Sequence, residues 1–593
     1  MRSFRNWLLL LGAGFVLSVA VCVGRADDTK DGKDMAESAK ATAKAVESKP
    51  EVGLTDRERW LLDRVEQLER RVAELEAKGG KPGAVPAPVA TNIVETPEAA
   101  PTAGPAKIVT NASLAVKVEP SSLGIGPKQE GSSSTSQATN NEKPKPVEPF
   151  SDADWTWLNG NPRTKDIYWD SKFFTPEIRA DIHYVYDFNH PDDHSMGGSS
   201  ELFRTNEVQL EQLGVGGDFH YDNVRGRLLT QFGMYSATTP RNDPSPGHGQ
   251  WDLVSAYRYL TEAYGGYHFN VLHGVNVDAG IFLSYIGLFS YYNFDNWAYQ
   301  PSYVSSNTPW FFEGARVQIF PTAHLKIEPW FINGWQAYAS ANHKPGLGGQ
   351  IKWTPKPWLN VISNNYGLGE DDLFIHGRSR IHTDNSIEVK YYDKPERSGL
   401  DKMAFSLTGD LGCEYGSGVS CYGNHKGGPK QSFVGWMGYN RFWFHRDLFG
   451  LTLGGGQINN PGRYLVLIPP INGAGAISAA TSAPYFTGNP GDPFKAWDSS
   501  ITFDYMPKQY ITFRAEYDYR HANVPYWTGK GGITPPGGNN GAPQFFACSN
   551  GNSSGQTSLG AAETACGGGL SSVWFPDLRK NESFIDLAIL VKF

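Results

Sequence analysis

The last ten residues, Phe584 to Phe593, read FIDLAILVKF. Ile585, Leu587, Ile589, Val591 and Phe593 share one side of an extended chain, and the chain stops on an aromatic. Successive side chains of a strand point to opposite faces, so this is a strand with one apolar face. Gln509 to Arg520, QYITFRAEYDYR, repeats the pattern more sharply. Ile511, Phe513, Ala515, Tyr517 and Tyr519 take one face, while Thr512, Arg514, Glu516, Asp518 and Arg520 take the other. In a sandwich the charged face would meet ordinary solvent. In a membrane barrel it would meet the lumen.

Counting such segments separates the two. Candidate strands lie near 176–188, 203–219, 224–237, 257–269, 275–289, 310–320, 324–337, 346–354, 358–369, 379–392, 401–413, 431–446, 449–458, 497–506, 509–521 and 582–593. Sixteen is an even number, as single-chain bacterial barrels require. The connections alternate between tight turns, such as Pro507–Lys508, and long loops, such as 238–256 and 522–581. Membrane barrels show this asymmetry, with short turns at one end and long loops at the other. The expected fold is all-β: a transmembrane antiparallel β-barrel of about sixteen strands over 151–593. An even count puts both barrel termini at the periplasm. The C-terminal strand ending in Phe593 resembles the signal that the bacterial barrel-assembly machinery reads.

The same alternation nominates the lumen. Arg179 and Asp181, Arg225 and Arg227, Lys326 and Glu328, Glu388 and Lys390 each alternate with apolar neighbours. So does Arg316, and so do Arg514, Glu516, Asp518 and Arg520. Burying so many charges away from water is costly, so a solvated lumen of mixed sign and weak ion selectivity is expected. Trp310, Trp330, Trp353, Trp358, Tyr391, Tyr392, Trp436, Trp443, Tyr505 and Tyr510 lie near strand ends, where interface girdles would place them. Loops 290–309 and 459–496 are the candidates to fold in and narrow the pore. Residues 151–172 are long enough to enter the barrel and block it.

The N-terminal quarter is organised differently. Residues 1–26 carry Arg2 and Arg5, an apolar stretch from Trp7 to Val23, and Gly24-Arg25-Ala26. That is a secretory signal peptide with cleavage expected after Ala26. Residues 27–53 are polar. In 54–78, Leu61, Val65, Leu68, Val72 and Leu75 are spaced 4, 3, 4, 3, the seam of a coiled coil. A helix this short is marginal alone, so an oligomerising stalk is expected. Residues 79–150, rich in Pro, Ala, Gly, Ser and Thr, form a linker able to span several tens of Å.

Composition removes other classes. Lys+Arg is 53 against 61 Asp+Glu, with no basic stripe, so a nucleic-acid partner is not expected. After the first 25 residues there is no run of about 20 apolar residues, so no membrane helix is expected. Without Cys22, four cysteines remain: Cys413, Cys421, Cys548 and Cys566. An even count in an exported chain favours disulfides, and spacing suggests Cys413–Cys421 and Cys548–Cys566, although three connectivities are open. The Gly-x-Ser-x-Gly match at 551–555 lies in a Gly/Ser/Asn loop rather than at a strand-to-helix turn. His190-Pro-Asp-Asp-His194 with Glu201, and Gly369-Glu370-Asp371-Asp372, read as solvated loops rather than metal sites. No catalytic residue, metal or cofactor is assigned.

The stretch from Ser284 to Trp335 carries a resemblance. It has an aromatic, Tyr/Asn/Ser-rich loop, then Pro309 and Trp310 followed by Gly314 and Arg316, then a strand ending in Asn333-Gly334-Trp335. It resembles the OmpL-like outer-membrane β-barrel porins of Gram-negative bacteria. The resemblance implies an outer-membrane channel and no particular solute. The separate N-terminal coiled coil is similar to the periplasmic coiled-coil heads of trimeric porins, which implies a homo-oligomer, with a trimer favoured. The expected function is passive diffusion of small hydrophilic solutes. The alternatives are a plugged structural or adhesive barrel, a barrel sheathing another protein, or a barrel hydrolase.

Overall fold

The computed structural model describes residues 147–593, apart from 192–193, 244, 246–249, 341–343, 368–376, 398, 424, 463, 465–490, 531–547, 549–553, 557–558, 569–571 and 573–577. The signal peptide, polar segment, coiled coil and most of the linker lie outside them. So do 369–372 and most of 459–496.

Sixteen antiparallel strands close into one barrel. They are β1 (Phe174–Asp187), β2 (Val208–Tyr221), β3 (Val224–Thr230), β4 (Leu260–Phe269), β5 (Val275–Leu283), β6 (Phe311–Thr322), β7 (Leu325–Ile332) and β8 (Gly346–Lys356). β9 (Leu359–Gly367), β10 (Ser379–Asp393), β11 (Leu400–Tyr415), β12 (Ser432–Phe444), β13 (Phe449–Asn460), β14 (Phe494–Lys508), β15 (Ile511–Ala522) and β16 (Asn581–Lys592) complete it. Each strand pairs with its sequence neighbours, and β16 pairs back onto β1, with Ile182 opposite Ile589 and Tyr184 opposite Leu587. Closure removes the open edge that a strand in lipid cannot tolerate. Among the described residues no helix is long and apolar enough to cross a membrane.

The alternation decides which side faces out. On β16, Ile585, Leu587 and Ile589 are exposed on the outer wall, while Phe584, Asp586, Ala588 and Leu590 are buried inside. β15 does the same, with Phe513 and Tyr517 outside and Arg514, Glu516, Asp518 and Arg520 inside.

Four strand ends differ from the expectation by five residues or more: β2 starts at Val208 rather than 203, β7 stops at Ile332 rather than 337, and β3 and β5 stop early. β5 stops at Leu283, because its ladder with β6 ends at Leu283 opposite Phe311. β3 stops at Thr230. The chain then touches β2 at one bridge, Leu213–Phe232, before turning into a short helix at Tyr235–Thr238. Several expected girdle aromatics also turn inward. Trp353, Trp358, Trp436 and Tyr505 are exposed on the outer wall, but Trp310, Trp330 and Trp443 are buried. Trp330 and Trp443 sit at inward positions of β7 and β12, where strand parity overrides the preference for the interface.

Candidate functional site: a lumen crossed by one loop

The connection from β5 to β6, residues 284–310, does not run over the surface. It carries Tyr285, Tyr291, Tyr292, Phe294, Trp297, Tyr299, Tyr303 and Trp310, all buried. An aromatic segment of this kind loses less by packing inside than by lying in water.

At its root the loop is held by rings. Tyr285 packs on Phe312 and Trp330 at 5.4 and 5.0 Å, and Phe282 meets Trp330 edge-on at 5.1 Å. These pairs come from β5, β6 and β7, beside the point where the loop leaves the wall.

At its tip the loop is held by charge. The tip reaches the wall of β12–β16 and β1, across the barrel from its root. The Tyr299 and Gln300 backbone N–H groups each donate to the Glu516 carboxylate at 2.6 Å. Arg514 donates to the Asn293 and Asn296 carbonyls at 3.0 and 2.7 Å. Asp498 accepts from the Ser302 hydroxyl and the Tyr303 N–H. Asp181 accepts from Asn293 and from the Tyr299 hydroxyl, and Arg179 donates to Asp295 at 2.9 Å. Behind the tip, Asp504 sits between Arg441 and Arg514, 2.7 Å from each, with all three side chains wholly buried. Charged groups this deep are stable only when paired or hydrogen-bonded: Asp504, Arg441, Arg514, Arg179 and Asp295 find ion partners, while Glu516, Asp498 and Asp181 are held by hydrogen bonds from the loop.

A second segment enters from the end with the tight turns. Phe150 N–H donates to Ala323 between β6 and β7. Asn161 donates to Lys508 and Ile511 carbonyls, which flank the turn between β14 and β15. Between these anchors, Trp155 and Trp157 are buried in the cluster that holds Trp297, Tyr439 and Trp443. The two segments meet: Gly160 N–H donates to the Asp295 carbonyl at 2.9 Å, and Arg441 donates to the Gly160 and Trp297 carbonyls. A Cβ on Gly160 would stand 2.3 Å from the Asn296 carbonyl oxygen, so only glycine fits.

The sequence-predicted lumen residues all face inward, in three groups. Arg179, Arg514, Glu516, Asp518 and Arg520 lie around the loop tip, with Asp181. Arg520 pairs with Glu582 and donates to the Gly198 carbonyl of the β1–β2 loop. Arg227 binds Glu177, Asp218 and Glu262, while Arg225 and Arg316 both approach Asp278. Lys326 pairs with Glu328, Glu388 accepts from Asn360, and Lys390 stands over the Trp157 ring. The expectation of open water along the lumen is altered at mid-height. There Arg227, Arg514, Glu516 and Asp518 are each at most 2 % exposed, because the inserted loop covers them.

Sequence reasoning missed Arg441, Asp498, Asp504 and Asp295. The first three lie at inward positions of β12 and β14, so strand parity was available as a signal. Asp295 lies in the loop, and nothing local marks it.

Other candidates fall away from the lumen. Cys413–Cys421 and Cys548–Cys566 are disulfide-bonded. His194 lies 3.6 Å from Glu207, His190 contacts Tyr186, and Glu201 binds Gln300 instead. Among the described residues no group of three or more His, Cys, Asp or Glu is placed to hold a metal.

Comparison with known proteins supplies the family. The family model described as beta-barrel porin-2, OmpL-like, matches residues 179–562, most of the chain. No curated protein matches the sequence. Among solved structures, the trimer form of Vibrio cholerae OmpT, an outer membrane protein, is 9 % identical. It covers 72 % of this chain and 100 % of its own, with a TM-score of 0.38. The Acinetobacter baumannii outer membrane channel DcaP is 11 % identical over 72 % of this chain and 99 % of its own, with a TM-score of 0.37. Pseudomonas putida OprB is 10 % identical over 72 % and 100 %, with a TM-score of 0.38. With its closed sixteen-strand barrel and its matched residues, this chain belongs to the OmpL-like beta-barrel porin-2 family and is an outer-membrane porin of the Gram-negative type.

Proposed function

We propose that this porin passes small hydrophilic solutes by diffusion, along the part of the lumen left free by loop 284–310 and segment 147–165. The observation that supports this most directly is the mixed lining. Inward-facing charges of both signs stay partly exposed beside the inserted segments, among them Arg225, Asp218, Lys326, Lys592 and Asp295. Opposed signs along one passage favour water and polar solutes while holding ion selectivity low. N-terminal to the barrel, the heptad seam of Leu61, Val65, Leu68, Val72 and Leu75 joins copies into an oligomer, a trimer in this reading, with the coiled coil on the periplasmic side. Phe593 serves the barrel-assembly machinery. The chain acts without a catalytic group or cofactor.

Proteoliposome swelling tests the diffusion reading. Uptake of neutral sugars should fall smoothly with sugar size. Swelling with one sugar alone would replace diffusion by a specific solute site. Deleting 27–150 should turn grouped conductance steps into single ones.

A second reading is favoured by one contact, the bond from Gly160 to Asp295. It ties the entering N-terminal segment to the loop, so this arrangement is the narrow state of the passage, and withdrawal of residues 155–161 widens it. Conductance that rises when this contact is removed supports this reading over a permanently open one.

A further inference from the structure

The lumen wall near the long-loop end of β10 and β11 holds three side chains whose polar atoms miss their hydrogen bonds. His382 and Asp384 point inward from β10, and Asp410 points inward from β11, directly opposite Asp384. All three are at most 1 % exposed. Neither oxygen of Asp410 takes a hydrogen bond, and neither Asp384 Oδ2 nor His382 Nε2 has one. The Leu411 N–H lies near the Asp410 carboxylate but out of line with it. Yet His382 Nε2 stands only 2.8 Å from Asp410 Oδ1. Arg380, two residues before His382, is taken by Glu414 at 2.5 Å.

The imidazole of His382 is held from its other side. Its Nδ1 lies 3.0 Å from the Tyr464 hydroxyl. Tyr464 is tied in turn to Asn460, through its N–H to Oδ1 and through its carbonyl to Nδ2. Gly412 stands opposite His382, and a Cβ there would be 2.7 Å from Nδ1 and 2.3 Å from the Tyr464 ring, so glycine makes room for both rings. Trp335 and Phe433 pack on the imidazole at 4.8 and 5.8 Å. When Nδ1–H donates to Tyr464, Nε2 is a bare lone pair facing a carboxylate oxygen. When Tyr464 donates instead, the Nε2–H misses Asp410 Oδ1. Either way two carboxylates stay buried without a counter-charge unless a cation joins them. The first arrangement is the one that metal-bound histidines use, with the far N–H given to an oxygen and the near nitrogen on the ion.

We infer that His382 Nε2 and the Asp410 carboxylate are the first two ligands of a divalent metal site of the zinc type, with Asp384 as the third. An imidazole nitrogen beside carboxylate oxygens suits zinc and its neighbours, whereas calcium and magnesium take oxygen ligands. Two atoms each about 2.0–2.2 Å from one metal stand roughly 2.8–3.5 Å apart, so the contact between His382 and Asp410 fits a shared ion. Asp384 does not reach the other two as it stands, and the three are not gathered as a finished centre. Its Oδ2 carries no hydrogen bond, so a turn of the side chain brings it in without breaking one. The ion is structural: Trp335, Phe433 and Tyr464 close the site off from the passage. Through His382 it fixes Tyr464, and with it the chain that follows β13, against the wall of β10 and β11.

The test uses the full chain, refolded into detergent from metal-free denaturant with and without zinc. Gel filtration followed by elemental analysis counts the metal retained per folded chain. One zinc ion per chain is expected. His382→Gln and Asp410→Asn should each lose it, while His190→Gln combined with His194→Gln on the β1–β2 loop should keep it. Tyr464→Phe should weaken binding about tenfold, since it removes only the group that orients the ring. Cobalt(II) in place of zinc should give visible absorption bands that His382→Gln abolishes. Heat-modifiable migration in gels checks that each barrel has folded, and Asp410→Asn, which keeps the shape of its side chain, carries the test where His382→Gln does not fold. No metal retained by the unmodified chain would overturn the inference. So would metal kept by both His382→Gln and Asp410→Asn, or metal lost with the two β1–β2 loop histidines, which would place the ion elsewhere.

Discussion

Loop 284–310 is held in two ways at its two ends, and the contrast explains what kind of barrier it makes. At the root, Phe282, Tyr285, Phe312, Trp330 and Tyr366 form an aromatic stack with few polar demands. At the tip, backbone amides and carbonyls are fixed by Glu516, Arg514, Asp498 and Arg441. Ring packing tolerates small shifts, because it is not directional. Buried charges do not, because each lost bond strands a desolvated group. The root therefore supplies attachment, and the tip supplies position.

The sharpest way to break this contrast is at Asp504. Asp504→Leu leaves Arg441 and Arg514 buried beside each other without their shared anion. Loss of one partner of such a pair costs about 3–5 kcal/mol. Thermal unfolding should shift down accordingly, and the conductance should become noisy as the tip loses its seat. An equal loss of stability with quiet, unchanged conductance would show that the tip is not positioned by charge. Trp330→Ala at the root should cost somewhat less, about 3 kcal/mol, since neighbouring rings close part of the cavity. Its conductance should stay quiet. Noise equal to that of Asp504→Leu would erase the distinction between the two ends.

The smallest expected effect lies where the tip meets the β1–β2 loop. Glu201 accepts from the Ser200 hydroxyl at 2.8 Å and from Gln300 at 3.1 Å. Burial pushes its carboxyl up to about 8 from an ordinary 4.5. The folded state therefore favours the neutral acid. That contribution is complete below pH 4.5 and is lost as pH rises through 8. Melting temperature should decline between pH 5 and 8 and level off above, and Glu201→Gln should flatten the decline. An unchanged slope in Glu201→Gln would assign the pH dependence to other groups.

Strands were the legible part of the sequence, and side-chain partners were not. Alternation is local, so FIDLAILVKF and QYITFRAEYDYR declare their inner and outer faces without help from the rest of the chain. Turn lengths are local too, which made the two ends of the barrel distinct. The inserted loop was legible in its length but not in its start. The alternation of 275–289 runs past Leu283, and only the end of the β6 ladder stops it. Pairings such as Arg179 with Asp295, or Arg514 with Asn293, join positions more than a hundred residues apart. They follow from barrel closure and loop insertion, which no short window contains. Solvation at mid-height was not legible for the same reason. The charges were found, but the loop that covers them comes from across the lumen.

In the proposed narrow state the passage is closed down where Gly160 meets Asp295, and single-channel conductance tests that proposal most directly. The full chain and Gly160→Ala should be recorded side by side in planar bilayers. The added Cβ would stand 2.3 Å from the Asn296 carbonyl and force the segments apart. The account predicts small ohmic steps from the full chain and larger ones from the variant. Steps of equal size would contradict it.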